Sequence, residues 1–195
     1  MRHKFDPRNA SGLENPERLR IQNPALVIRH LHVSEGMHVA DVGAGTGFFT
    51  LPLADVVGPR GRVYALDVSP QMLEHLRARL DGRTQVVILR SEESRLPLPD
   101  SSVDRVLLAN VFHELEDAPS MAREVVRILR PGGRVAVLDW AKRAAKSEGE
   151  PGPPMEHRVD AHQAAAALRA AGIDAFVVHE PSFPYHHLVI GTHSG

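Results

Sequence analysis

The stretch V-A-D-V-G-A-G-T-G-F-F-T-L-P-L-A, residues 39–54, decides the fold. Its first four residues close an apolar run that begins at Met37. Three glycines at alternate positions follow, Gly43, Gly45 and Gly47, and then an apolar helical pattern. A strand, a glycine turn and a helix in immediate succession form the opening unit of a parallel α/β sheet. Glycines at such a turn let the chain bend tightly and let a ligand approach the backbone. A plain tight turn would use the same residues, so the rest of the chain has to decide between them.

Working outward, the pattern repeats. Strands are expected at 62–67, 85–90, 103–111 and 134–139, with helices at 46–57, 70–80, 117–130 and 160–171 between and after them. Two more strands, 174–179 and 187–192, have no helix between them and should therefore run antiparallel. The reading is a doubly wound α/β fold, a seven-stranded mostly parallel sheet with an antiparallel last strand. It takes the whole chain, 1–195, as one domain. Residues 1–22 read as a polar arm, with its H-K-F-D stretch a possible lid, and Asn23-Pro24 opens a helix with Pro in its first turn. Residues 141–159, rich in Lys, Gly and Pro, form a long insertion at the substrate side, and loops of that length usually carry function.

Composition narrows the function. Lys and Arg number 23 against 24 Asp and Glu, so no basic excess points to nucleic acid. No run reaches the ~20 apolar residues of a membrane helix, and the first residues lack a signal-peptide core. A cytoplasmic protein is the default expectation. The absence of cysteine removes disulfides, thiolate metal sites and cysteine nucleophiles.

Asp67 ends the second strand, 20 residues after Gly47, where a carboxylate reaches the ribose hydroxyls of a bound nucleoside. A dinucleotide fingerprint would read G-x-G-x-x-G. Here the third glycine comes one residue early, Phe48 stands in its place, and Asp41 precedes the first glycine. Asp41 would repel a pyrophosphate and favour a cation or an amine.

These residues resemble the class I S-adenosylmethionine (SAM) dependent methyltransferases, of the small single-domain, UbiE-like kind. V-A-D-V-G-A-G-T-G-F-F-T-L-P-L-A is similar to their first motif and V-Y-A-L-D-V-S-P-Q-M-L (63–73) to their second. Residues 91–115 resemble the third and fourth, and I-L-R-P-G-G-R-V-A-V-L-D-W (128–140) the segment around the fifth strand. The resemblance implies a Rossmann-like methyltransferase fold, SAM as cofactor and a methyl acceptor as partner. It implies that Gly43, Gly45 and Gly47 contact the methionine part, with Asp41 near its ammonium. Asp67 would hold the ribose, Val68 and Met72 would pack on adenine, and Glu92 with Glu93 would lie at the adenine amino group. Asn110 would line the methionine end. A nicotinamide-dependent oxidoreductase and a non-catalytic SAM-binding module stand as alternatives.

Methyl transfer needs alignment and, for a protonated acceptor, a base. Histidine suits that task near neutral pH. His113 follows the fourth strand, His157 sits in the insertion, and His186 lies in the connection to the last strand. All three fall at the carboxyl edge of the sheet, and they are the candidate catalytic residues. The same three, with Glu114 and Glu156, could instead hold a metal, although Asp117 breaks an H-E-x-x-H pattern. Arg158 could clamp an anionic substrate. No appended recognition domain is visible, which favours a small-molecule acceptor.

Overall fold

The computed structural model describes residues 15–143, 146 and 149–195. Along them run α1 (Glu17–Ile21), α2 (Pro24–Leu31), β1 (His38–Val42), α3 (Thr50–Val57), β2 (Arg62–Asp67), α4 (Pro70–Ala78) and β3 (Val86–Arg90). There follow β4 (Val103–Ala109), α5 (Ala118–Ile128), β5 (Leu129–Trp140), α6 (Ala161–Ala170), β6 (Ile173–Val178) and β7 (His186–His193). The sheet order is β3-β2-β1-β4-β5-β7-β6. Every pairing among β1 to β5 is parallel, and β7 runs antiparallel to both β5 and β6. The order reverses between β1 and β4, and ligands of open α/β sheets bind beyond the carboxyl ends of the strands at such a point.

Both faces of the sheet are covered, which is why its strands read as near-continuous apolar runs. Val42, Leu66, Val106 and Val135 pack on one face with Met121 and Val125 of α5 and Leu168 of α6. Val39, Val63, Ala65, Leu107 and Ala136 pack on the other with Val27 of α2, Leu53 of α3 and Leu76 of α4. Asn23 caps α2 by accepting from the Ala25 N–H at 3.0 Å, with Pro24 at the first helical position. Asp160 and Gln163 form a capping box on α6.

Several boundaries differ from the sequence reading, and β7 begins at His186, so that residue opens the strand and is not in the connection before it. Helix α3 begins at Thr50 rather than 46, because Gly45 and Gly47 adopt positive φ (54° and 92°) and hold residues 43–49 as a turn. Helix α5 ends at Ile128, and β5 begins at once with Leu129 opposite Val103; Pro131 cannot continue a helix. Strand β4 ends at Ala109, because Asn110 turns left-handed at φ 58° and residues 112–114 form a single 3-10 turn.

Candidate active site

A cavity of about 1060 Å3 opens beyond the carboxyl ends of β1, β2 and β4. Its floor is the glycine turn. The Gly43 and Ala44 N–H groups both donate to the Leu66 carbonyl, at 2.7 and 2.9 Å, which ties the turn to the neighbouring strand. Gly43 has φ 72°, and a Cβ there would lie 2.1 Å from Val111 Cγ2; at Gly47 (φ 92°) it would lie 2.4 Å from Leu76 Cδ1. Side chains are excluded at both positions by conformation and by space.

Two carboxylates face this floor. Asp41 is buried, and the Thr50 hydroxyl donates to its Oδ2 at 2.6 Å. Burial pushes the Asp41 carboxyl up to about 7; the Thr50 bond opposes this and the nearby Asp67 charge adds to it. Asp67 is also raised by burial, although it accepts from the Gly45 N–H (Oδ2, 2.9 Å) and the Ser69 N–H (Oδ1, 2.9 Å). Each carboxylate would gain from a ligand that presents a cation or hydroxyls. Met72, buried, and Val68, exposed, line the wall beside Asp67, as do Glu92 and Glu93, both on the exposed surface.

At the end of β4 the wall is bolted to the amino-terminal segment. The Asn110 N–H donates to the Leu138 carbonyl at 2.8 Å, and its side-chain Nδ2 donates to Gln22 Oε1 at 2.7 Å. Gln22 is 1% exposed. Asn110 Oδ1 is buried and has no hydrogen-bond partner among the described residues. Asn tolerates the left-handed region at little cost. Arg18 of α1 stacks its guanidinium 4.0 Å from the Phe48 ring and also lines the cavity, so α1 forms part of the cavity wall. The H-K-F-D stretch proposed as a lid lies outside the described residues.

The 3-10 turn carries His113 into the same wall. Its ring Nδ1 lies 2.7 Å from Asp139 Oδ1, and its backbone N–H donates to Asp139 Oδ2 at 3.0 Å. Asp139, at the end of β5, is completely buried. Burial alone would raise its carboxyl, but the bond and charge of His113, the nearby His187 and the Trp140 N–H (2.7 Å) hold it below the usual carboxylate range. A charged, buried carboxylate against Nδ1 assigns the proton to Nδ1 and leaves Nε2 as the acceptor. Glu114 Oε1 lies 3.8 Å from Nε2.

A family model described as a methyltransferase domain matches residues 40–137, half of the chain. A crystal structure of a SAM dependent methyltransferase from Aquifex aeolicus superposes with a TM-score of 0.89 at 34% identity, covering 97% of this chain and all of that one. The chain belongs to the SAM-dependent methyltransferases. It is also similar to an uncharacterized methyltransferase of Mycobacterium tuberculosis, 38% identical over 73% of this chain and 59% of the relative. A demethylmenaquinone methyltransferase of Geobacillus stearothermophilus is 33% identical over 60% of this chain and 50% of that protein. The chain thus spans between half and three-fifths of the length of these curated relatives. The nicotinamide alternative falls with this membership.

The residues of the methyltransferase cavity fit SAM on their own chemistry. The glycine cradle has no space for a Cβ at Gly43 or Gly47, two carboxylates seek protons or hydroxyls, and a buried amide oxygen seeks a donor. Of the proposed residues, Asp41, Gly43, Gly45, Asp67, Val68, Met72, Glu92, Glu93, Asn110 and His113 line the cavity together. Gly47 acts from behind, packed on Leu76.

The histidine trio does not converge. His186 is 6% exposed and stacks on Trp140, with ring centroids 4.1 Å apart, so the indole stands in the cavity wall and the imidazole does not. Burial lowers His186 to about 3, so it is neutral. His157 lies in the 155–157 turn of the insertion and is not among the residues that line the cavity. Among the described residues no group of three or more His, Asp and Glu side chains could hold a metal ion. Nor is Arg158 an anion clamp, since it is 2% exposed and ion-paired with Glu150. Among the described residues no helix is long and apolar enough to cross a membrane.

Sequence reasoning missed Asp139, Gln22 and Trp140. Asp139 ends its strand as Asp41 and Asp67 end theirs, which is the signal that could have found it. Gln22 and Trp140 carry no pattern, because their partners lie 88 residues away (Asn110) and 46 residues away (His186).

Proposed function

We propose that the chain transfers the methyl group of SAM to a small, uncharged acceptor with an aromatic ring and an ionisable hydroxyl, and that His113 is the base. The observation that carries this is the His113–Asp139 pair in the wall of the same cavity as the glycine cradle and Asp67. Bound SAM supplies an electrophilic methyl group, so the protein has to supply alignment, a dry site and a place for the acceptor's proton. Asp41 and Asn110 would receive the amino end of the cofactor, and Asp67 its ribose hydroxyls. Asp139 fixes the His113 tautomer, so that Nε2 takes the acceptor's proton as the methyl bond forms. Asp139 then balances the imidazolium.

The acceptor end supports the rest of the reading. Val111, Leu115, Met121, Trp140 and Tyr185 line it, a lining suited to a flat apolar ring. Arg158, behind this end, is engaged with Glu150, and Arg18 is the cation in the wall, its guanidinium held over Phe48. The volume stands at the top of the usual range for ligand pockets, roughly 300–1,000 Å3, with room for cofactor and acceptor together. Similarity to a demethylmenaquinone methyltransferase points the same way, to a hydroquinone-like ring.

Two assays test this. Thermal-shift titration should show stabilisation by SAM and by S-adenosylhomocysteine but not by NAD. Incubation with SAM and a panel of naphthols and hydroquinones should then release S-adenosylhomocysteine. Tight SAM binding with no turnover on any acceptor would favour a binding module instead.

A further inference from the structure

Residues 149–154 form a strap along the cavity, with Gly149, Pro151, Gly152, Pro153 and Pro154 in its lining. Three prolines leave the strap few N–H donors, so its own backbone can do little to hold it in place. What it presents is carbonyls: Lys146 Nζ donates to that of Gly152 at 2.8 Å, and one guanidinium collects the two on either side. Arg158 Nε donates to the Pro153 carbonyl at 3.0 Å, and one terminal nitrogen donates to the Pro151 carbonyl at 2.9 Å. The other donates to the Ala141 carbonyl at 3.2 Å and to Glu150 Oε1 at 2.5 Å. Both side chains of this ion pair are wholly buried. Arg143 approaches the second Glu150 oxygen at 3.7 Å.

The strap is seated on Trp140. Gly152 has φ 91°, and a Cβ there would stand 2.5 Å from Trp140 Cε3, so the backbone lies directly against the indole. The Arg158 guanidinium is 5.4 Å from the same ring. A side chain at Gly152 or a slack strap would therefore move the wall that Trp140 presents to the cavity.

We propose that Glu150 and Arg158 form a clasp that seats the 149–154 strap on Trp140 and so sets the far wall of the acceptor end. They are specificity-determining positioning residues, and neither lines the cavity. The assignment of that end to the acceptor rests on the function proposed above; the clasp itself does not.

Trp140 is the only tryptophan in the chain, so its fluorescence reports the strap with no label and no turnover. The measurement is made on the full chain with and without S-adenosylhomocysteine. Glu150→Gln leaves Arg158 charged and unpaired in a dry site. Arg158→Lys keeps the charge and loses the planar fork that reaches three carbonyls. In both, Trp140 emission should move to longer wavelength and its acrylamide quenching constant should rise about twofold or more, as expected of a local opening. S-adenosylhomocysteine affinity should stay within about twofold of the parent, because the binding residues are untouched. Gly152→Ala keeps the ion pair and lifts the strap directly, and it decides the case if the buried variants fail to fold; the same shift with affinity retained supports the clasp. Unchanged emission and quenching in the folded variants overturn it. A shift accompanied by a tenfold or greater loss of affinity also overturns it, since the pair would then support the whole fold. Failure of the parent to bind S-adenosylhomocysteine would overturn the proposed function and leave the fluorescence result standing.

Discussion

The two ends of the cavity are built from different kinds of contact. The cofactor end is built on the backbone: a glycine turn, carboxylates at the ends of β1 and β2, and backbone N–H groups from Gly45 and Ser69 holding Asp67. The acceptor end uses side-chain pairs that meet only in the folded chain: His113 with Asp139 and Trp140 with His186. The first kind is imposed by what the cofactor is.

The largest expected effect lies at the cofactor end. Asp67→Ala removes the carboxylate proposed to accept from two ribose hydroxyls, each such bond being worth roughly 1.5–3 kcal/mol. Isothermal titration should show S-adenosylhomocysteine binding weakened by about 100-fold or more. A loss below tenfold would mean that the ribose is held elsewhere.

At the acceptor end, Asp139→Asn should slow turnover on a responsive acceptor by roughly 100-fold, within the usual range for a general base, while S-adenosylhomocysteine affinity stays unchanged. His113→Asn should match it, and the double variant should be no slower than either single one, because the two residues act as a unit. Additive losses would separate them and break the dyad.

The glycine turn is next. Gly47→Ala forces an unfavourable φ and a contact with Leu76 Cδ1 at 2.4 Å, at a cost of about 1–3 kcal/mol. The melting temperature should fall by roughly 2–4 °C for each kcal/mol in a chain of this size. Gly36→Ala, where no atom lies within 4 Å of the added Cβ, is the control for the left-handed conformation alone.

The smallest effect separates the two ends by pH. Asp41 is raised to about 7, so its contribution to stability is complete below about pH 4 and is lost as pH rises through 7. His186 is lowered to about 3, so its contribution is present above pH 6.5 and is lost as pH falls. His187 is lowered by burial too and acts in the same sense. The opposed slopes partly cancel in the ligand-free parent between pH 4 and 6.5. Relative to the parent, Asp41→Asn should shift the slope of stability against pH upward across that window, and His186→Phe should shift it downward. Thermal melts from pH 4 to 8 would read both signs.

The same division explains what was legible in the sequence. The alternating strands and helices, the antiparallel last strand and the places of the glycine turn, Asp41 and Asp67 follow from periodicity, connection length and glycine spacing; Val68, Met72, Glu92, Glu93 and Asn110 were legible only through the resemblance to the methyltransferases. His113 was legible as a histidine after the fourth strand, but its partner was not, since Asp139 meets it only when β4 and β5 pair. His157 and His186 shared the same rim by topology. The folded chain then separated them: His186 packs on Trp140, and His157 is not among the residues that line the cavity. Arg158 looked like a free loop cation because nothing in its neighbourhood announces that Glu150, eight residues earlier, folds back to meet it.

Methyl transfer as proposed requires both ends to face one space, with the transferred group between them. A structure of the complex with S-adenosylhomocysteine measures this most directly. The ribose should sit on Asp67 and the amino group near Asp41 and Asn110. The sulfur should turn toward His113 and the chamber walled by Trp140 and the 149–154 strap. A sulfur screened from His113 by Asn110 and Gln22, or turned away from that chamber, would leave the His113–Asp139 pair a structural contact and contradict the mechanism.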